Sequence, residues 1–253
     1  MTRVGFLAPL TTWNDLPLEF LRVAPEGTSV AGAFIPSRGQ TRTMAGFGLD
    51  RIAEALPAMQ EAARDLAEAG ADVVAQFGIP FSLTHAKRAR DAQSQVSDAA
   101  GVPAVLMGAS ILDALDYLGA RRIAIAGGYY TPGEWVSMAR HGFESNGFEV
   151  VLQENWLEQG IVGSAEESDK LAWEQDAATT NAHVLRTAER AEGRADAIVV
   201  CGGGLRLLGH AANLEAKTGV PVVAGDLAMY WGTLRAMGAQ PRSTGWGRLL
   251  DSL

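Results

Sequence analysis

The 253-residue chain holds one cysteine, Cys201, and only four histidines, His85, His141, His183 and His210. A lone thiol excludes an internal disulfide. The histidines are scattered, with no H-x-x-x-H or comparable spacing, so no metal is expected. Positive charge is also scarce: 21 Lys and Arg stand against 29 Asp and Glu, for a net charge of -8. That balance argues against nucleic acid and against an anionic membrane surface as partners. No stretch approaches the roughly 18 apolar residues of a transmembrane helix. The opening run MTRVGFLAPL is too short for a signal peptide, so a cytoplasmic protein is expected. A P-loop is lacking, and LRLLG after Gly204 misses the G-x-G-x-x-G spacing. Dinucleotide binding is therefore disfavoured.

What remains is an ordinary globular composition, 47% hydrophobic and 20% charged. The length lies between one large domain and two small ones. Short β-branched runs alternate with alanine- and leucine-rich segments of helical period, the pattern of a parallel sheet with crossover helices. The expected strands are Val4–Ala8, Val30–Ile35, Val73–Gln76, Ala104–Met107, Ile123–Ala126, Val150–Leu152, Ala197–Val200 and Val222–Ala224. Ile52, Leu56, Met59, Ala63 and Leu66 recur at spacings of four and three, one face of a helix that Pro57 either kinks or starts.

The chain reads as internally duplicated. GVPAVLMGASILDALDYLGARR at 101–122 resembles GVPVVAGDLAMYWGTLRAMGAQPR at 219–242, and AGADVVAQFG at 69–78 resembles RADAIVVCGG at 194–203. Two copies of one α/β unit, each open at the carboxyl ends of its strands, would bury a ligand between them. Cys201 ends the strand ADAIVV and runs into three glycines, where backbone N–H groups can face that ligand. Its counterpart in the first copy is Gly78, or Phe77 if the gap moves by one residue.

VGFLAP at 4–9, VVAQFG followed by FSL, RRIAIAGGYY at 121–130, GIVG at 160–163, VVCGGG, and GVPVV with Trp231 and GWGRLLDS together resemble the aspartate/glutamate racemase superfamily. Within it the resemblance is to the arylmalonate decarboxylases, and it covers nearly the whole chain. It implies two similar α/β/α lobes with parallel four-stranded sheets, 1–108 plus 226–253 and 109–225, and an active site in the cleft between them. It also implies chemistry without a cofactor on a small carboxylic acid. Racemases and maleate isomerases of the superfamily place one cysteine on each face of the substrate, whereas the decarboxylases keep only the second. Gly78 and Cys201 reproduce the single-cysteine pattern.

Carried over residue by residue, the resemblance makes Cys201 catalytic, the proton donor to an enediolate left by loss of carbon dioxide. Tyr129, or its neighbour Tyr130, would bind a carboxylate. Gly202 and Gly203 would supply backbone donors, Pro9 and Leu10 would line the pocket, and Gly78 would mark the silent face. The chain departs from the family at Ile79 and Pro80, where the decarboxylases carry a threonine and a serine. Two hydroxyl donors are missing. Arg38 and Arg42, and more weakly Thr11 and Thr12, are candidates to meet the substrate charge instead.

Three other readings compete. An isomerase or racemase lacks its second thiol here. An acyl-transfer nucleophile at Cys201 needs a histidine at the sulfur, and His210 is the nearest in sequence. A two-lobed binding protein would not need a thiol in its cleft.

Overall fold

Eight short apolar runs form eight strands, and the strands form two parallel sheets of four. The computed structural model describes residues 2–9, 15–35, 48–131, 133–174 and 177–253. The first sheet has the order β2-β1-β3-β4, from β1 (Arg3–Pro9), β2 (Ser29–Ile35), β3 (Val73–Gln76) and β4 (Ala104–Leu106). The second has the order β6-β5-β7-β8, from β5 (Arg122–Ala126), β6 (Glu149–Glu154), β7 (Ala197–Val200) and β8 (Val222–Ala224). Helices cross between them: α1 (Leu16–Val23), α2 (Leu49–Ala53), α3 (Leu56–Glu68), α4 (Pro80–Leu83), α5 (Ala89–Ala100) and α6 (Met107–Tyr117) in the first half. The second half adds α7 (Gly133–Glu144), α8 (Ala165–Glu174), α9 (Ala177–Ala191), α10 (Ala211–Thr218) and α11 (Gly225–Ala236). All of VVAQ in β3 and AIVV in β7 is buried, as central strands covered by helices on both faces require.

The duplication is repeated hydrogen bond by hydrogen bond. Gly101 and Gly219 end α5 and α10 with φ of +69° and +79°, left-handed values that favour glycine. The prolines that follow, Pro103 and Pro221, accept the N–H groups of Val74 and Ile198 at 2.9 Å each. At the other edge, Asp72 accepts the N–H of Arg3 and Asp196 that of Arg122, both at 2.8 Å. The GVP signal is thus one structural device used twice.

Strands β1, β2, β5 and β6 extend one or two residues beyond their expected ends, and two other boundaries move. Met107 is the first residue of α6 rather than the last of β4. Ile52 belongs to α2, and α3 starts at Leu56 with Pro57 in its first turn. Proline there lacks only an N–H that the first turn leaves unpaired, whereas a continuous helix would set its ring against the carbonyl of residue 53. Ile52, Met59, Ala63 and Leu66 are nonetheless buried together.

Helices α6 and α11 join the halves. The first packs on both β4 and β8, the second on β3, β4 and β8, and the two pack on each other. Among the described residues, no helix is long and apolar enough to cross a membrane.

Candidate active site

Cys201 follows directly on β7, and its N–H donates to Ala126 O at 3.0 Å. The chain then turns through Gly202, with φ at +126°, where a Cβ would stand 2.8 Å from the Tyr129 ring and 3.0 Å from Leu205. Only glycine suits both the angle and the space. A Cβ on Gly203 would lie 3.5 Å from Gly78 Cα and 3.6 Å from the Met107 sulfur. The carboxyl ends of β7 and β3 therefore meet face to face, where the duplication expected a cleft.

That meeting closes over the thiol. Cys201 is 0% exposed, not solvent-reachable as a cleft position suggested. Burial pushes its pKa up to about 12, instead of leaving it near the ordinary thiol value. The sulfur is protonated throughout the neutral range.

The adjacent tyrosines take different paths. The Tyr129 hydroxyl accepts the N–H of Gly204 at 3.2 Å, and burial pushes it up to about 12. Tyr130 turns into the core, edge-on to Trp135 at 5.1 Å, and is 2% exposed. Of the two, Tyr129 is the one whose hydroxyl meets the glycine turn that follows Cys201.

The loop carrying Tyr129 is fixed from below by groups the sequence did not single out. His183 Nε2 accepts the N–H of Gly128 at 3.0 Å, so Nδ1 carries the proton and donates to Gln159 Oε1 at 2.8 Å. Gln159 in turn donates to Thr187 Oγ1 at 3.0 Å and to Glu154 Oε2 at 3.1 Å. Burial, with Arg186 nearby, lowers His183 to about 3, so the imidazole is neutral. Trp156 N–H closes the loop on Gly128 O at 2.9 Å.

On the first sheet, Gly78 has φ at +127° and its N–H points at the Met107 sulfur, 3.4 Å away. A thioether is a weak acceptor that an incoming oxyanion would outcompete. A Cβ on Gly78 would meet the Phe81 ring at 2.9 Å and Gln76 Nε2 at 3.0 Å. Gln76 is fully buried. Its Nε2 donates to Phe77 O at 2.7 Å and Gly78 O at 3.3 Å, while its Oε1 has no partner.

Ile79 and Pro80 are buried and begin α4. The hydroxyl that follows in α4, Ser82 Oγ, accepts the N–H of Ala109 at 3.0 Å, on the side of α6. This wall is apolar. Pro9 ends the central strand of the first sheet, in the register position that Gly128 takes in the second. Leu10, Thr11, Thr12, Arg38 and Arg42 lie outside the described residues.

His210 Nδ1 faces Asn181 Nδ2 at 3.1 Å, and His183 is spent on Gly128 and Gln159. Neither histidine is hydrogen-bonded to the thiol. No group of three or more His, Cys, Asp and Glu side chains able to hold a metal ion occurs among the described residues.

Comparison with known proteins places the chain in a family. The family model described as arylmalonate decarboxylase matches residues 23–250. Arylmalonate decarboxylase of Bordetella bronchiseptica is 29% identical over 206 residues, 81% of this chain and 80% of that protein. The structure of unliganded arylmalonate decarboxylase superposes with a TM-score of 0.80 at 23% identity, over 100% of both chains. The maleate isomerase Iso from Pseudomonas putida S16 superposes with a TM-score of 0.76 at 20% identity, over 99% of this chain and 98% of that one. With nearly its whole length matched, the chain belongs to the arylmalonate decarboxylase family.

Proposed function

We propose that the protein is a cofactor-independent decarboxylase of a substituted malonate, with Cys201 as the proton donor. The observation that carries this reading is a buried thiol at the end of β7, its pKa pushed up to about 12, on the loop whose Gly203 packs against Gly78, in a chain with no second cysteine. Breaking the bond to one carboxylate releases carbon dioxide and leaves its electron pair on an enediolate. The thiol proton passes to the α-carbon, and water returns a proton to the thiolate. Backbone N–H groups of Gly78 and of the 202–204 turn, with the Tyr129 hydroxyl, suit the developing charge. The apolar wall of Ile79 and Pro80 suits the departing carboxylate, which loses charge as it becomes carbon dioxide. Entry of a substrate requires Gly203 to part from Gly78.

The test is release of carbon dioxide from an aryl-substituted malonate by the wild type and by Cys201→Ala and Cys201→Ser. Both variants should lose about 10²–10⁴-fold in kcat while melting close to the wild type. Undiminished turnover in either variant would remove the thiol from the reaction. Conversion of maleate by the wild type, with no carbon dioxide from any malonate, would instead favour an isomerase.

A further inference from the structure

Asp226 is the second residue of α11 and is 1% exposed. Its Oδ2 accepts the N–H of Leu207 at 2.8 Å and of Leu208 at 3.1 Å. Both amides belong to the segment that leaves Cys201 through the three glycines. Its Oδ1 is buried with no hydrogen-bond partner. A buried carboxylate with one empty oxygen is a costly brace for a loop. The first half manages with less: Gly108 takes the same register position, and Ser82 Oγ ties loop to helix through the N–H of Ala109 at 3.0 Å. The charged brace occurs only behind the cysteine.

We propose that Asp226 is the positioning residue of the cysteine loop, its carboxylate fixing the course of residues 202–208 that sets Gly203 against Gly78 and the Gly204 N–H on the Tyr129 hydroxyl. Burial raises Asp226 to about 6, against the three backbone N–H groups and Arg206 that favour its charge. The anionic acceptor is therefore present at neutral pH and lost just below it. The other titratable groups here are Arg206 of the same loop, Glu19 of α1 and Tyr230 one turn further along α11. Arg206 stays cationic, paired with Asp15 and with Glu19 at 3.7 Å. Tyr230 donates its hydroxyl to Leu16 O at 2.9 Å, and burial keeps it un-ionised. Glu19 is also raised by burial, and Glu19→Gln separates it from Asp226, while the hydrogen bond from Arg206 holds Asp15 below its ordinary value.

The positioning role rests on the reading of Cys201 as proton donor, but its first test needs no substrate. Amide hydrogen exchange at Leu207 and Leu208, corrected for intrinsic rates, is followed from pH 8 to pH 5. For an opening that frees these two amides while Asp226 stays buried, protection in the wild type and in Glu19→Gln should fall by about tenfold or more through pH 6, the equivalent of one weakened hydrogen bond. In Asp226→Asn, and in Asp226→Ser should the first variant fold poorly, protection should not step with pH. A wild-type protection that ignores pH, or a step that survives both substitutions, overturns the proposal. The activity arm follows kcat/KM for an aryl-substituted malonate. The wild type and Glu19→Gln should show an acid limb near pH 6 that Asp226→Asn lacks, and an unchanged limb in Asp226→Asn counts against the brace. If the wild type turns over no malonate, the decarboxylase reading fails by itself and the exchange data alone decide the role of Asp226.

Discussion

Phe77 holds in the first sheet the backbone place that Cys201 holds in the second. Its N–H donates to Leu7 O at 3.2 Å as that of Cys201 donates to Ala126 O at 3.0 Å, and the next residues, Gly78 and Gly202, share φ values of +127° and +126°. The two strand ends are therefore the same turn, and a thiol is replaced by a ring that is 2% exposed. In this register the Cβ direction of Gly78 points at Phe81 and Gln76, not at the thiol.

A cysteine placed at Gly78 should accordingly be strained. With left-handed φ and a Cβ only 2.9 Å from the Phe81 ring, Gly78→Cys should lose about 1–3 kcal/mol of stability. Gln76→Ala in the same chain should relieve the contact with the amide while leaving the backbone strain. Denaturant unfolding of the two variants reads both effects. A Gly78→Cys protein as stable as the wild type would contradict the geometry at this turn.

The tyrosine pair should separate in function. Tyr129→Phe removes the hydroxyl on Gly204 and should lower kcat/KM by about tenfold or more with stability nearly kept. Tyr130→Ala should instead cost about 3–5 kcal/mol, because it empties a core site against Trp135. Equal effects of the two on activity would place both rings in the same role.

Much of this was legible in the sequence, and the limits have physical causes. All eight strands were, because fully buried parallel strands are continuous apolar runs bounded by glycine and proline. The break before α3 needed only the chemistry of Pro57. The choice between Tyr129 and Tyr130 was not legible, since only side-chain direction separates two adjacent aromatics. Nor was the one-residue register that pairs Phe77 with Cys201. His183, Gln76 and Asp226 are single polar residues in apolar or helical stretches; His183 meets Gly128 from 55 positions away in the chain, which no local pattern reports.

Stability against pH should show two opposing groups. His183 is lowered from 6.5 to about 3, so its contribution is complete above pH 6.5 and is lost as pH falls toward 3. Asp226 is raised from 3.8 to about 6, so its contribution is complete below pH 3.8 and is lost as pH rises through 6. Between about pH 6 and pH 4 the two slopes oppose each other. His183→Gln should make the protein more stable on acidification in that window, and Asp226→Asn should make the acid loss steeper. Melting curves from pH 7 to pH 4 that are parallel for all three proteins would refute the assignment.

Thiol chemistry offers a further check. A buried, protonated Cys201 should react with iodoacetamide at pH 7.5 at least about a hundredfold more slowly than the same chain in urea. Rapid stoichiometric alkylation of the folded protein would show a thiolate that the structure does not support.

The central claim is that one acid acts on one face. The direct measurement is turnover of a prochiral aryl-substituted malonate by the wild type in deuterated buffer, with the enantiomeric composition and deuterium content of the product determined together. The account expects a single enantiomer bearing one deuterium at the α-carbon, and no further exchange when that product is returned to the enzyme. A racemic product, or steady exchange of the returned product, would establish a second proton-transfer group opposite Cys201 and contradict the account.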